Sequence, residues 1–134
     1  MGRLVMIVDD HAVIRRMLRA LLEAEGFQVS DAMDGAEGVR KALKLKPNLI
    51  ILDLSMPVMN GLEAARKLKV LMPHVPLLMF TNNADEIQEK EAISAGIVAV
   101  VRKSDSDSSK QLVAQATALL GSKGAGDPAR FASD

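Results

Sequence analysis

The sequence has no cysteine, tryptophan or tyrosine, and Phe27, Phe80 and Phe131 are its only aromatic residues. Without thiols there can be no disulfide and no thiolate metal site. So few rings disfavour base-stacking platforms and interfaces anchored by aromatic side chains. An excess of charge is missing as well, since 17 Lys+Arg stand against 17 Asp+Glu. That balance removes the usual electrostatic case for nucleic acid or an anionic membrane as the main partner. No apolar run is long enough to span a bilayer, and the N-terminus lacks the apolar core and cleavage site of a signal peptide. These absences predict a cytoplasmic protein. What is present is a chain of 134 residues, 49% hydrophobic and 25% charged, which suits one domain with a packed core.

Short aliphatic runs alternate with helical periodicity five times. Leu4 to Val8 ends abruptly in Asp9 and Asp10 and reads as a buried strand. Ile14, Met17, Leu18, Leu21 and Leu22 recur at spacings of three and four, with Gly26 as a stop, which predicts a helix. Residues 27–32 form a weaker strand, and Asp34 with Glu37 has the spacing of a capping box for a second helix that Pro47 closes. Residues 48–53 are again aliphatic and end on an acid. Asn60 with Glu63, and Asn83 with Glu86, repeat the capping-box spacing for the third and fourth helices. Between them Leu77 to Thr81 is the fourth strand; Ile97 to Val101 is the fifth, and a last helix carries Leu112, Val113, Ala116, Leu119 and Leu120. The fourth helix, expected to reach about Ala95 and stop at Gly96, has the weakest apolar stripe. Five strand-helix pairs with short connections imply an α/β fold, a doubly wound parallel sheet covered on both faces. Residues 1–120 form this domain, and residues 121–134, rich in Gly, Ala and Ser, read as a flexible tail too short to be an output domain.

In such a sheet ligands bind beyond the carboxyl ends of the strands. Strand one delivers Asp9 and Asp10 to that edge, strand three Asp53, strand four Thr81, and strand five Arg102 and Lys103. Clustered carboxylates repel unless a cation sits among them. Oxygen donors with no Cys and little His select Mg²⁺ or a similar ion. With the charge of a phosphoryl group neutralised, a carboxylate such as Asp53 can attack phosphorus and form an aspartyl phosphate, with Lys103 and Thr81 receiving its other oxygens.

At this point the residues resemble a family. The stretches from Val8 to His11 and from Asp53 to Gly61, and Ala95-Gly96 followed by Lys103, look like the receiver domain of bacterial two-component response regulators. The resemblance covers about residues 3–120. It implies a flavodoxin-like (βα)5 fold with strand order 2-1-3-4-5 and the following roles. Asp53 matches the phosphoacceptor, Asp9 and Asp10 the metal-binding acid pair, Thr81 the switch hydroxyl and Lys103 the phosphate-sensing lysine; the main-chain carbonyl of Ser55 matches a further metal ligand. The implied partners are a sensor histidine kinase or phosphotransfer protein, and a downstream protein bound through the face of helix four, strand five and helix five. The protein is then a stand-alone phosphoacceptor and not a turnover enzyme.

Several positions depart from the family pattern. Val100 stands where a receiver usually carries a moving Tyr or Phe, Ser104 where a proline commonly follows the lysine, and Asn82 where Ala or Gly is usual. Ser55 and Asn83 occupy the two positions that commonly tune phosphoryl lifetime. The missing ring leaves open a second reading, a non-switching adaptor or phosphate sink. A third, a phosphatase acting on small phosphoesters, is weakened by the lack of a second acid two residues beyond a nucleophilic Asp on strand one and of a segment to exclude water. His11, directly after the acid pair, could be a metal ligand, but an exposed loop histidine is the favoured reading because the acids already suit Mg²⁺. Plainer readings suffice elsewhere: Arg102 is a bystander, Pro57 a turn residue, Gly61 a small residue at a close approach, and Met6, Met17 and Met79 core fillers.

Overall fold

A computed structural model describes residues 3–121, so the expected tail, beyond Gly121, lies outside the described residues. Five parallel strands, β1 (Leu4–Val8), β2 (Gln28–Ala32), β3 (Leu49–Leu52), β4 (Leu77–Thr81) and β5 (Ile97–Arg102), form one sheet in the order β2-β1-β3-β4-β5. The helices are α1 (Ala12–Ala24), α2 (Gly35–Leu45), α3 (Gly61–Leu71), α4 (Glu89–Ser94) and α5 (Ser108–Leu120). The flavodoxin-like topology is the one the sequence implies.

Side chains alternate across a strand, and the aliphatic runs therefore feed two cores. Met6, Val8, Ile50, Leu52 and Met79 pack with Ala42 of α2 and with Ala64, Ala65 and Leu68 of α3. Val5, Ile7, Ile51, Leu78 and Phe80 face the other way, against Leu18 and Leu22 of α1 and Leu112 and Ala116 of α5. Burying one such side chain contributes about 2 kcal/mol, so the central strands, and the acids at their ends, are held by both layers. Met17 is a correction: it points outward and is 37% exposed, because the buried stripe of α1 runs through Leu18 and Leu22.

The capping signals are realised unevenly. Asn60 and Glu63 form the full box at α3. At α2 the Asp34 carboxylate accepts the Glu37 N–H, but the Glu37 carboxylate takes the N–H of Met33, one residue ahead of the cap. Asn83 does not start the fourth helix. Its side-chain oxygen Oδ1 accepts the Ser55 hydroxyl, a 3-10 turn follows at Ala84–Glu86, and α4 begins only at Glu89, under a box made by Gln88 and Glu91. The result is a six-residue helix with Ala92 as its single buried residue. It ends at Gly96, whose φ of +86° is open to glycine at little steric cost. Beyond it, β5 carries one extra residue: Leu77 pairs with Ile97 but Leu78 pairs with Ala99, leaving Val98 outside the ladder.

Candidate functional site

The carboxyl ends of β1, β3, β4 and β5 bring Asp9, Asp53, Thr81 and Lys103 to one place, as the sequence predicts. Asp9 and Asp53 are 2% and 3% exposed and Thr81 is fully buried. Charged groups this deep are costly unless paired, and the pairing comes from Lys103. Its Nζ lies 2.7 Å from Asp9 Oδ2 and 3.0 Å from Asp53 Oδ2, and 5.9 Å from the centre of the Phe80 ring. Burial alone would push the Lys103 ammonium down, but hydrogen bonds and charge from Asp9 and then Asp53 outweigh it, so its pKa is raised above the usual lysine value.

The main chain around this trio is tied from several sides. The Lys103 N–H donates to the Thr81 carbonyl, and the Ser108 hydroxyl donates to the Lys103 carbonyl. That second bond restrains the loop where Ser104 replaces the family's proline. Arg15 donates to the Asp9 carbonyl at 2.7 Å and reaches Asp31 at 3.5 Å, fastening the end of β1 to α1 and β2. Nothing in the local pattern marked Arg15; its position one turn into an amphipathic helix after an acid pair is the signal that could have. The Thr81 hydroxyl accepts the Asn83 N–H, while the Asn83 side chain bridges to Ser55 and Glu86.

The loop after Asp53 is shaped by close contact. A Cβ on Gly61 would lie 2.2 Å from the Asp53 carbonyl oxygen, and the Gly61 N–H donates to the Leu54 carbonyl. Glycine is required there because only it lets α3 start against the Asp53 peptide. At the far tip, the Met59 N–H donates to the Pro57 carbonyl around Val58, whose φ is +70°. A β-branched residue in that tight turn is strained, and no sequence pattern announces it.

Two features suit a bound cation. Asp53 Oδ1 is buried with no hydrogen-bond partner, and one ligand atom from each of Asp9, Asp10, His11 and Asp53 lies within 4.8 Å of the others. Hard oxygen donors of this kind fit a divalent ion such as Mg²⁺. Ser55 lines an open cleft with Asp10, Met56 and Asn60. His11 is exposed as expected, yet its Nδ1 stands 3.0 Å from Asp9 Oδ1 and 3.1 Å from Asp10 Oδ1. Arg102 turns away and pairs with Asp85 of the 3-10 turn, which holds that carboxyl below its usual range.

The profile of the response regulator receiver domain matches residues 5–115. The chain belongs to that family. The receiver is 35% identical over 97 residues to the chemotaxis protein CheY of Thermotoga maritima, covering 72% of this chain and 81% of that one. The chemotaxis response regulator CheY4 of Vibrio cholerae superposes with a TM-score of 0.79 at 29% identity, over 90% of the receiver chain and all of the other. The response regulator TrrA of Thermotoga maritima, in complex with Mg²⁺-BeF, gives a TM-score of 0.79 at 25% identity, covering 88% and 99%. The receiver also matches longer transcriptional regulators, covering 38% of ResD of Bacillus subtilis and 55% of PhoB of Pseudomonas aeruginosa. Among the described residues no helix is long and apolar enough to cross a membrane.

Proposed function

We propose that this receiver, taken as residues 1–120, accepts a phosphoryl group on Asp53 from the phosphohistidine of a sensor histidine kinase or phosphotransfer protein. The observation that carries this reading is the asymmetry of one carboxylate: Asp53 Oδ2 is held by Lys103 while the buried Oδ1 has no partner. An oxygen left unsatisfied inside a protein is costly, so Oδ1 is the atom open to a cation, and Oδ2, as Lys103 leaves it, forms the bond to phosphorus while the bond from phosphorus to the histidine nitrogen breaks. Lys103 then turns its charge to one phosphoryl oxygen and the Thr81 hydroxyl donates to another.

Mg²⁺ would be held by Asp9, Asp10, Asp53 and the main-chain carbonyl of Ser55. When bound it neutralises the incoming phosphoryl oxygens. The Mg²⁺-BeF complex of TrrA supports this assignment. Incubation with phosphoramidate and Mg²⁺ followed by intact-mass measurement tests it. One phosphate adduct, absent in Asp53→Asn, is expected; an adduct that survives that substitution overturns it.

Output is by phosphorylation-dependent binding of another protein at the face of α4, β5 and α5, where Ile93, Val98 and Val100 are exposed. A second reading, the non-switching adaptor or phosphate sink, is favoured by Val100 alone, which has no ring to turn inward. Partner affinity with and without beryllofluoride separates the two. A change above tenfold, about 1.4 kcal/mol, excludes the constitutive version.

A further inference from the structure

The exposed histidine beside the acid pair is not accounted for by phosphoryl transfer. His11 occupies the N-cap position of α1 with extended backbone, yet its side chain makes no cap hydrogen bond. The ring instead turns to the acids. Its Nδ1 lies 3.0 Å from Asp9 Oδ1 and 3.1 Å from Asp10 Oδ1, and a ligand atom of Asp53, the residue with the unpartnered buried oxygen, completes the group within 4.8 Å.

Two donors bound at right angles to one ion, with bonds of about 2.1 Å, stand about 3.0 Å apart. The Nδ1–Oδ1 separations, bridged in this structure by a hydrogen bond between His11 and Asp9, match that edge. An imidazole nitrogen is a poor donor to Mg²⁺ but a good one to later first-row divalent ions, whose affinity for mixed N and O sites rises from Mn²⁺ through Co²⁺ to Ni²⁺ and Cu²⁺. The histidine is 63% exposed while Asp9 beneath it is 3% exposed, so an ion arriving from solvent meets the nitrogen at the rim of the acid cluster.

We infer that His11 is a nitrogen ligand that sets the ion selectivity of this site, adding affinity for Co²⁺, Ni²⁺ or Cu²⁺ that an oxygen-only acid pair would not have. The inference rests on the acid pair holding a divalent ion, as in the preceding reading. Mg²⁺ and Ni²⁺ are titrated calorimetrically into the full chain and into His11→Ala and Asp10→Asn under one set of buffer conditions. Cu²⁺ spectra by electron paramagnetic resonance report directly on bound nitrogen.

His11→Ala is expected to weaken Ni²⁺ about tenfold or more, to change Mg²⁺ less than twofold, and to remove one nitrogen coupling from the Cu²⁺ spectrum. If Ni²⁺ weakens less than twofold, or Ni²⁺ and Mg²⁺ weaken in the same ratio, the imidazole only orients the acids and the inference is overturned. Asp10→Asn addresses the underlying reading: unchanged Mg²⁺ binding there shows that the acid pair does not hold the ion, whatever the histidine variant does.

Discussion

At the edge that carries Asp53, that residue and Lys103 lie 50 residues apart in sequence and 3.0 Å apart in space, the aspartate buried, the lysine half-buried, and each tied by a main-chain bond to a neighbouring strand. Across the sheet, the segment from Ala84 to Val100 holds a 3-10 turn, a six-residue helix with one buried residue, and an ion pair between two exposed side chains. The contrast teaches where rigidity is used. On the proposed function, the groups that would meet phosphorus are set in place beforehand, whereas a segment with little buried area is the part a small free energy can move.

The largest effect should come from emptying the Asp53 edge of its ammonium group. Lys103→Ala leaves Asp53 buried and unpaired and Asp9 with His11 alone, and is expected to cost about 3 kcal/mol in urea unfolding at neutral pH. Added Mg²⁺ should stabilise this variant more than the wild type, because lysine and ion compete for the same carboxylates. A cost below about 1 kcal/mol would mean that the edge is no more rigid than the α4 side. Next, Gly61→Ala drives a methyl group into the Asp53 carbonyl and should lower stability by about 2 kcal/mol and slow phosphorylation by phosphoramidate. Normal rates there would show that Asp53 tolerates movement.

Alkaline pH gives a smaller, graded effect. The Lys103 pKa is raised above the ordinary 10.5, so its contribution to stability is complete below that value and is lost as pH rises through the higher folded value. Unfolding curves above about pH 10.5 should therefore fall more steeply for wild type than for Lys103→Ala. The smallest effect is expected on the other side. Asp85→Asn breaks an exposed pair, and exposed pairs contribute little, so the unfolding midpoint should not move; a clear drop would make that pair a structural clasp.

The strands and most helices were legible because buried aliphatic runs and capping residues act locally. The site was legible as a set of residue types at strand ends. What the sequence did not disclose depends on distant contacts. Asn83 carries a capping signal but is recruited by the Ser55 hydroxyl, 28 positions away, so the helix starts late. Met17 fits the helical spacing, yet its neighbour Leu18 takes the buried place. For His11 the loop reading outweighs the ligand one until the turn after β1 places its ring by both acids, and Arg15 acquires a role only through the end of β1 that it grips.

The extra residue in β5 has a bearing on chemistry. With unbroken pairing from Leu77 and Ile97, Thr81 would stand opposite Val101, and the base following into the pocket would be Arg102. The slip at Val98 places Arg102 opposite Thr81 instead and advances Lys103 by one position. A guanidinium is a rigid planar fork, whereas an ammonium is a compact charge on a flexible stem. A single unpaired valine thus acts as a counting device, choosing between two adjacent cations the compact one that reaches both buried carboxylates.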